Sequence, residues 1–192
     1  YPEAEEPVLK DISFSISKGE TLAIIGGTGS GKSTLINLIP RFYDVTKGSI
    51  TLNDVDIREV KQQELREHIG YVPQKNNLFS GTIAENLEYG KENATEADMY
   101  HALDIAQASE FISQKEGGLN SIVEQSGKNF SGGQKQRLAL ARAIIRKPEL
   151  YLFDDSFSAL DLKTDANLRA ALAKETKDAI VVIVGQRIST IQ

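Results

Sequence analysis

The sequence contains no cysteine and no tryptophan, one methionine and two histidines. Without cysteine there is no disulfide framework, no thiolate metal site and no cysteine nucleophile, which is compatible with a reducing compartment. The histidines, His68 and His101, have no second ligand at metal-binding spacing and read as solvent-facing helix residues. An excess of positive charge is also missing. Lys and Arg number 22 against 27 Asp and Glu, a formal net charge of −5, so no global basic field draws the chain to nucleic acid or anionic lipid. No stretch approaches the ~20 apolar residues of a membrane helix. The longest, 138–145 and 179–184, suit a buried helix face and a buried strand. No basic, apolar-cored leader opens the chain, which begins at Tyr1. Both ends read as cut, and the expectation is a fragment of a longer protein. Internal repeats and low-complexity segments are absent as well.

What remains is an ordinary globular composition: 192 residues, 40% hydrophobic and 26% charged, enough for one domain with its own core. Ile12, Phe14 and Ile16 alternate with serines, predicting a half-buried strand. Thr21–Ile25 predicts a strand buried on both faces. A glycine-rich loop follows, then a helix carrying Leu35, Ile36, Leu38 and Ile39. Further strands are expected at 49–52, Ile69–Val72, 150–153 and 179–184, with helices at 62–68, 131–146 and 167–174. Between 82 and 113 the periodicity is helical, with Ala102, Leu103, Ile105 and Ala106 on one apolar face. Strands alternating with helices predict a mainly parallel α/β sheet with crossover connections. The serine-rich strand before the loop is expected in a small antiparallel piece, and the helical middle in an inserted subdomain.

Gly26-Gly27-Thr28-Gly29-Ser30-Gly31-Lys32-Ser33 satisfies G-x-x-x-x-G-K-[ST] between a buried strand and a helix, the context this phosphate-binding motif requires. Glycines let the backbone wrap closely, so its N–H groups converge on phosphate oxygens, aided by the helix dipole. Lys32 supplies a point charge to the terminal phosphates, and the Ser33 hydroxyl can ligate Mg²⁺. Such a site needs a carboxylate for the metal. The apolar strand Leu150-Tyr151-Leu152-Phe153 ending in Asp154 has the form that supplies one, directly or through water.

Ser131-Gly132-Gly133-Gln134, opening a helix that continues Arg137-Leu138-Ala139-Leu140-Ala141-Arg142-Ala143, resembles the signature motif of ABC ATPases, with Phe130 where Leu is usual. The resemblance extends over essentially the whole chain. It implies a P-loop NTPase (RecA-like) core, 1–78 and 147–192, with a small antiparallel β part and an inserted helical subdomain at 79–146. It implies ATP and Mg²⁺ as ligands, with Gly27, Thr28, Gly29, Ser30, Gly31, Lys32, Ser33 and Thr34 on the nucleotide. Tyr1 would stack on adenine, and Ser33, Gln74 and Asp154 would serve the metal. Ser131, Gly132, Gly133 and Gln134 would face ATP bound by a second such domain. Tyr71-Val72-Pro73-Gln74 looks like the Q-loop and Ser158-Ala159-Leu160-Asp161 like the D-loop. The 78–86 stretch is similar to the exporter version of the family, and 121–127 is loosely so. An exporter would place the domain on the cytoplasmic face of the cell membrane, joined to a membrane domain fused upstream.

Two positions depart from the family pattern. Efficient family sites carry Glu after the metal-binding Asp and His in the switch loop, where this chain has Asp155 and Gln186. Lys32, Gln74, Asp155 and Gln186 are the candidate catalytic groups. Shortening the carboxylate by one methylene displaces it by about 1 Å, a misplacement that can cost on the order of 100-fold in rate. Glutamine removes an imidazole able to orient water near the γ-phosphate. The pair implies a site that binds well and hydrolyses slowly, in a heterodimer whose other member retains Glu and His. A homodimer with working Asp155 and Gln186, a regulatory nucleotide module, and an ABC ATPase acting on DNA or ribosomes are the alternatives. The last lacks the coiled-coil arms and basic clusters it would need, and no nucleic-acid partner is expected.

Overall fold

The computed structural model describes residues 6–185. Strand β1 (Thr21–Ile25) runs into the glycine loop, which hands over to helix α1 (Lys32–Leu38). An antiparallel ribbon of β2 (Thr51–Leu52) and β3 (Val55–Asp56) turns at Asn53 and Asp54. Both turn residues have positive φ, as the tight hairpin turn with matching twist demands. Helix α2 (Gln62–Glu67) leads into β4 (Ile69–Val72). β5 (Gly81–Thr82) opens a helical stretch of α3 (Ile83–Glu88), α4 (Glu96–Ile105) and α5 (Ser109–Ser113), and β6 (Ile122–Val123) pairs back on β5. The long helix α6 (Gly132–Ile144), strand β7 (Leu150–Asp154), helix α7 (Leu162–Glu175) and strand β8 (Ile180–Gly185) follow.

The main sheet is four parallel strands in the order β1-β8-β7-β4. Because side chains alternate across a strand, its apolar runs divide between two cores. Tyr151, Phe153, Val181 and Ile183 join the larger cluster with α3, α4 and α6. Leu150, Leu152, Val182 and Val184 join Ile36, Ile57 and Leu65 on the other face. β7 is buried along its whole length. This is the parallel α/β sheet expected from the alternation of elements, in the form that the resemblance to P-loop proteins implied.

The structure corrects the sequence reading in two places. Ile12, Phe14 and Ile16 lie in chain that is not a strand. Among the described residues no neighbour offers that segment a hydrogen-bond ladder, which a strand needs; Ile12 and Phe14 are 48% and 51% exposed. The antiparallel pairs are instead β2·β3 and β5·β6. β1 is not buried on both faces: it is an end strand among the described residues, each of its residues is exposed or partly exposed, and Ile25 is 46% exposed. The helical stretch expected from 82 is built of three helices, α3, α4 and α5. The chain takes left-handed φ at Asn93 and Gln107 between them, which an α-helix cannot accommodate.

Gly90, just past α3, shows how closely the helices approach. A Cβ there would strike the Arg142 carbonyl oxygen and come within 2.7 Å of Ile145 Cγ2, both contributed by α6 or the residue after it. Gly90→Ala is therefore expected to destabilise the fold by about 1–3 kcal/mol through overpacking, read as a lower midpoint of urea unfolding.

Candidate functional site

The parallel register fixes where the functional groups emerge. Ile25 pairs with Gly185, and Asp154 pairs with Val184, so the glycine loop, Asp154 and Asp155 leave the sheet at one edge. They line a cleft of about 230 Å³ together with Val8, Gln74, Val184 and Gly185. The loop residues Thr28 through Thr34 all face this cleft. Gly31 precedes α1 at φ +89, and a Cβ there would meet Leu9 Cδ2 at 2.9 Å. Only glycine takes that backbone conformation and that proximity without strain. No side chain caps the first turn of α1.

Lys32 Nζ donates to the carbonyl oxygens of Gly26 and Gly27, both at 2.6 Å, and approaches Ser30 Oγ at 3.3 Å. An ammonium held over the loop by neutral acceptors is placed to exchange them for stronger anionic ones. Ser33 Oγ donates to Asp154 Oδ1 across 3.5 Å, which spans the gap from loop to β7. Asp154 is 5% exposed. Burial holds its carboxyl above the usual carboxylate range, and Asp155 adds to the effect. The Ser33 hydrogen bond and the Lys32 charge oppose it. A desolvated carboxylate so poorly compensated is suited to a cation. The donors beside it are oxygens only, and among the described residues no group of three His, Cys, Asp or Glu could hold a metal unaided. That chemistry fits a hard ion such as Mg²⁺, which binds through few protein ligands and keeps water or phosphate in its other positions.

Asp155 sits at φ +50, with its N–H bound to Val184 O at 2.9 Å. Its carboxylate receives Gln74 Nε2 at 3.4 Å. Gln74 thus meets Asp155 rather than Ser33 or Asp154. Behind the cleft, Tyr71 donates its hydroxyl to Asn37 Oδ1 at 3.0 Å, fastening β4 to α1. Burial, with the nearby Asp154 charge, pushes that phenol up to about 12.

Ser131, Gly132, Gly133 and Gln134 do not line this cleft. They form the exposed and half-exposed start of α6, where Ser131 and Gln134 make a reciprocal capping box: Gln134 N–H donates to Ser131 Oγ at 3.2 Å, and Ser131 N–H to Gln134 Oε1 at 2.9 Å. Phe130, in the place of the usual Leu, is buried edge-on against Phe111 at 6.4 Å, with Lys115 Nζ 4.4 Å from its ring centre. The 78–86 and 121–127 stretches meet as β5 and β6. Asn86, buried there, bonds Phe79 through both its amide atoms. Tyr1 and Gln186 lie outside the described residues. His68 and His101 are half-exposed as expected, and each pairs with a glutamate, Glu149 and Glu175.

One residue escaped the sequence reading. Gln136 is 3% exposed, Ala159 N–H donates to its Oε1 at 3.1 Å, and its Nε2 reaches Asp155 O at 3.5 Å. Its signal was present: on α6 it shares the i, i+3, i+4, i+7 stripe with Ala139, Leu140 and Ala143, all buried. A polar side chain on an apolar stripe needs a buried partner.

Comparison with known proteins places this geometry. A family model described as ABC transporter matches residues 9–158. An uncharacterised ABC transporter ATP-binding protein of Mycobacterium tuberculosis is 52% identical, over 98% of this chain and 33% of its own length. An ATP-dependent lipid A-core flippase of Vibrio parahaemolyticus is 44% identical, over 100% of this chain and 33% of its own. A putative multidrug export ATP-binding/permease protein of Staphylococcus aureus is 45% identical with the same coverage. The solved structure of a bacterial Atm1-family ABC exporter with ATP bound superimposes with a TM-score of 0.94 at 35% identity, covering 98% of this chain and 33% of that one. The chain thus spans about a third of the length of these relatives.

The state of Asp154 makes a prediction. A carboxyl whose folded pKa is raised stabilises the fold fully below its unfolded pKa, and that contribution is lost as pH rises through the folded value. Above the titration of the unfolded carboxyl, burial of Asp154 is therefore a cost when no metal is present. Asp154→Asn is expected to raise the melting temperature at pH 7 in chelator. The gain should shrink towards acidic pH, and the variant should lose any stabilisation by Mg²⁺ with nucleotide.

Proposed function

The chain belongs to the ABC transporter family, and from that premise we propose that it is the ATP-driven motor of an exporter. Mg·ATP lies with its phosphates in the loop from Gly27 to Thr34. Lys32 gives up the Gly26 and Gly27 carbonyls for phosphate oxygens, Ser33 and Asp154 serve Mg²⁺, and Tyr1 stacks on the adenine. When bound there, Mg²⁺ would supply charge neutralisation to the phosphates. Gln74 and Asp155, 3.4 Å apart, hold and polarise the attacking water, with Gln186 in the switch position. We read 79–146 as the helical subdomain inserted in the core.

The observation that carries this reading is a division of labour. A cleft of about 230 Å³ falls short of the ~300–1,000 Å³ pockets that enclose a ligand by themselves. The glycine-rich start of α6, a second anion-binding element, lies outside it. Two such domains facing each other would close each cleft with the other's Ser131–Gln134 segment and sandwich the nucleotide. Closure on ATP and reopening after hydrolysis would then rock a membrane domain, fused upstream in the parent chain, at the cytoplasmic face of the membrane. The relatives named as a flippase and as an export permease support this direction of transport.

Asp155 and Gln186 make the site built by this chain the slow one. Its Ser131–Gln134 segment would complete the faster site, on a non-identical partner that carries Glu and His. Two experiments test the scheme. The protein is expected to retain Mg·ATP, and Lys32→Ala to lose it; no retention by the unsubstituted protein would end the ATP reading. In the assembled dimer, Asp155→Glu with Gln186→His is expected to raise turnover by about 10- to 100-fold, the range a ~1 Å correction in placement can restore. Unchanged turnover would leave ATP binding intact and remove the slow-site assignment in favour of a homodimer that works with Asp155 and Gln186.

A further inference from the structure

We propose that Gln136 is a positioning residue that couples the partner-facing start of α6 to the loop carrying Asp155. The proposal deepens the ATP reading above and rests on it. Gln136 is buried, and both ends of its amide face groups whose roles admit one assignment. Ala159 N–H is a donor, so the amide oxygen must face it, at 3.1 Å; Asp155 O is an acceptor, so the amide nitrogen must face that, at 3.5 Å. The side chain therefore spans the 155–159 loop and clips its two ends to one point on α6.

The same loop is gripped from other sides. Gly133, one turn before Gln136, lies so close that a Cβ would stand 3.1 Å from Ala159 O. Ser156 Oγ donates to Val72 O at 2.9 Å, and Asp155 N–H to Val184 O at 2.9 Å. Ser158 Oγ also donates to Asp155 O at 3.0 Å. The loop is thus tied to β4 and β8 near the cleft and to α6 away from it. Only Gln136 joins the two ends with a side chain from α6 among the described residues. An α-helix moves as a rigid rod over such a short span. A force on Ser131 to Gln134, from an anion docking there, is delivered through Gln136 to the backbone of Asp155. One nucleotide's arrival would in this way set the carboxylate of the other site. Coupling of this kind is a difference in free energy between two arrangements and must act in both directions.

The tie makes separate demands on exchange and on catalysis. In the full-length protein, Gln136→Met keeps the length of the side chain and removes both hydrogen bonds. Amide exchange at Ala159, read on peptides across 155–160, is expected to accelerate about tenfold, the factor carried by one hydrogen bond of ordinary net worth. ATP turnover is expected to fall at least tenfold in kcat, with KM for ATP within about twofold. Gln136→Glu retains an acceptor for Ala159 N–H; it should keep exchange slow and show turnover between the other two, and it supplies the test if the Met variant does not fold. Exchange and kcat both at the unsubstituted level in either folded variant would overturn the positioning role. So would kcat and KM worsening in proportion to a lowered melting temperature. Absence of Mg·ATP binding by the unsubstituted protein would instead overturn the ATP reading and the coupling together, so the two failures are distinguishable.

Discussion

The site depends on the register of β8 between β1 and β7. Hydrogen bonding across these three strands sets Ile25 level with Gly185 and Asp154 level with Val184. Neighbouring strands lie about 4.8 Å apart, so a loop leaving β1 and a carboxylate leaving β7 are separated by one intervening strand. That is a distance the first turn of α1 can bridge, and Ser33 does so, reaching Asp154 at 3.5 Å. A slip of one residue in β8 would turn Val182 and Val184 from one core to the other. A slip in only one of its two pairings would also shift the loop after β1 relative to Asp154 on β7, so the apolar partition of the sheet and the geometry of the cleft are held by the same hydrogen bonds.

Around that edge, the charged groups are arranged in tension. Asp154 is buried with only a long hydrogen bond from Ser33, while Lys32 is turned back onto two backbone carbonyls. The acid accepts a long hydrogen bond from a hydroxyl and the ammonium has three neutral acceptors, so a cation suits the first and anionic oxygens the second. A magnesium–phosphate pair would relieve both at once. This is the physical sense of a site that waits for a metal and a nucleotide together. Asp155, by contrast, is held by its backbone and by Gln74, and its short side chain leaves the least room for adjustment.

The helical stretch contributes in a different manner. Its capping boxes at Thr82, Thr95 and Ser131 satisfy helix starts locally. The pairing of β5 with β6 then binds segments far apart in the chain, and the buried Asn86 ties the start of α3 to Phe79. α6 packs against α3, α4 and β4 while its first turn remains at the surface. An element anchored so firmly along its length can hold its capped first turn in place without that end being buried.

Much was legible before folding. The glycine loop, Asp154, the Ser131 helix start and the alternation of strands with helices are local patterns, set by neighbours three or four residues apart, and a sequence displays such patterns directly. The reading failed wherever the deciding partner was distant. Alternation at Ile12, Phe14 and Ile16 specifies a strand only if another strand lies alongside. The apolar run of β1 does not say that it is an end strand among the described residues. The glutamine at 136 looks like any helix residue until Ala159 and Asp155 are brought to it. Residue type and spacing by themselves determined what chemistry this protein carries. Tertiary structure alone decided which groups share a cleft, because hydrogen-bond register and burial are properties of pairs that the chain order keeps apart.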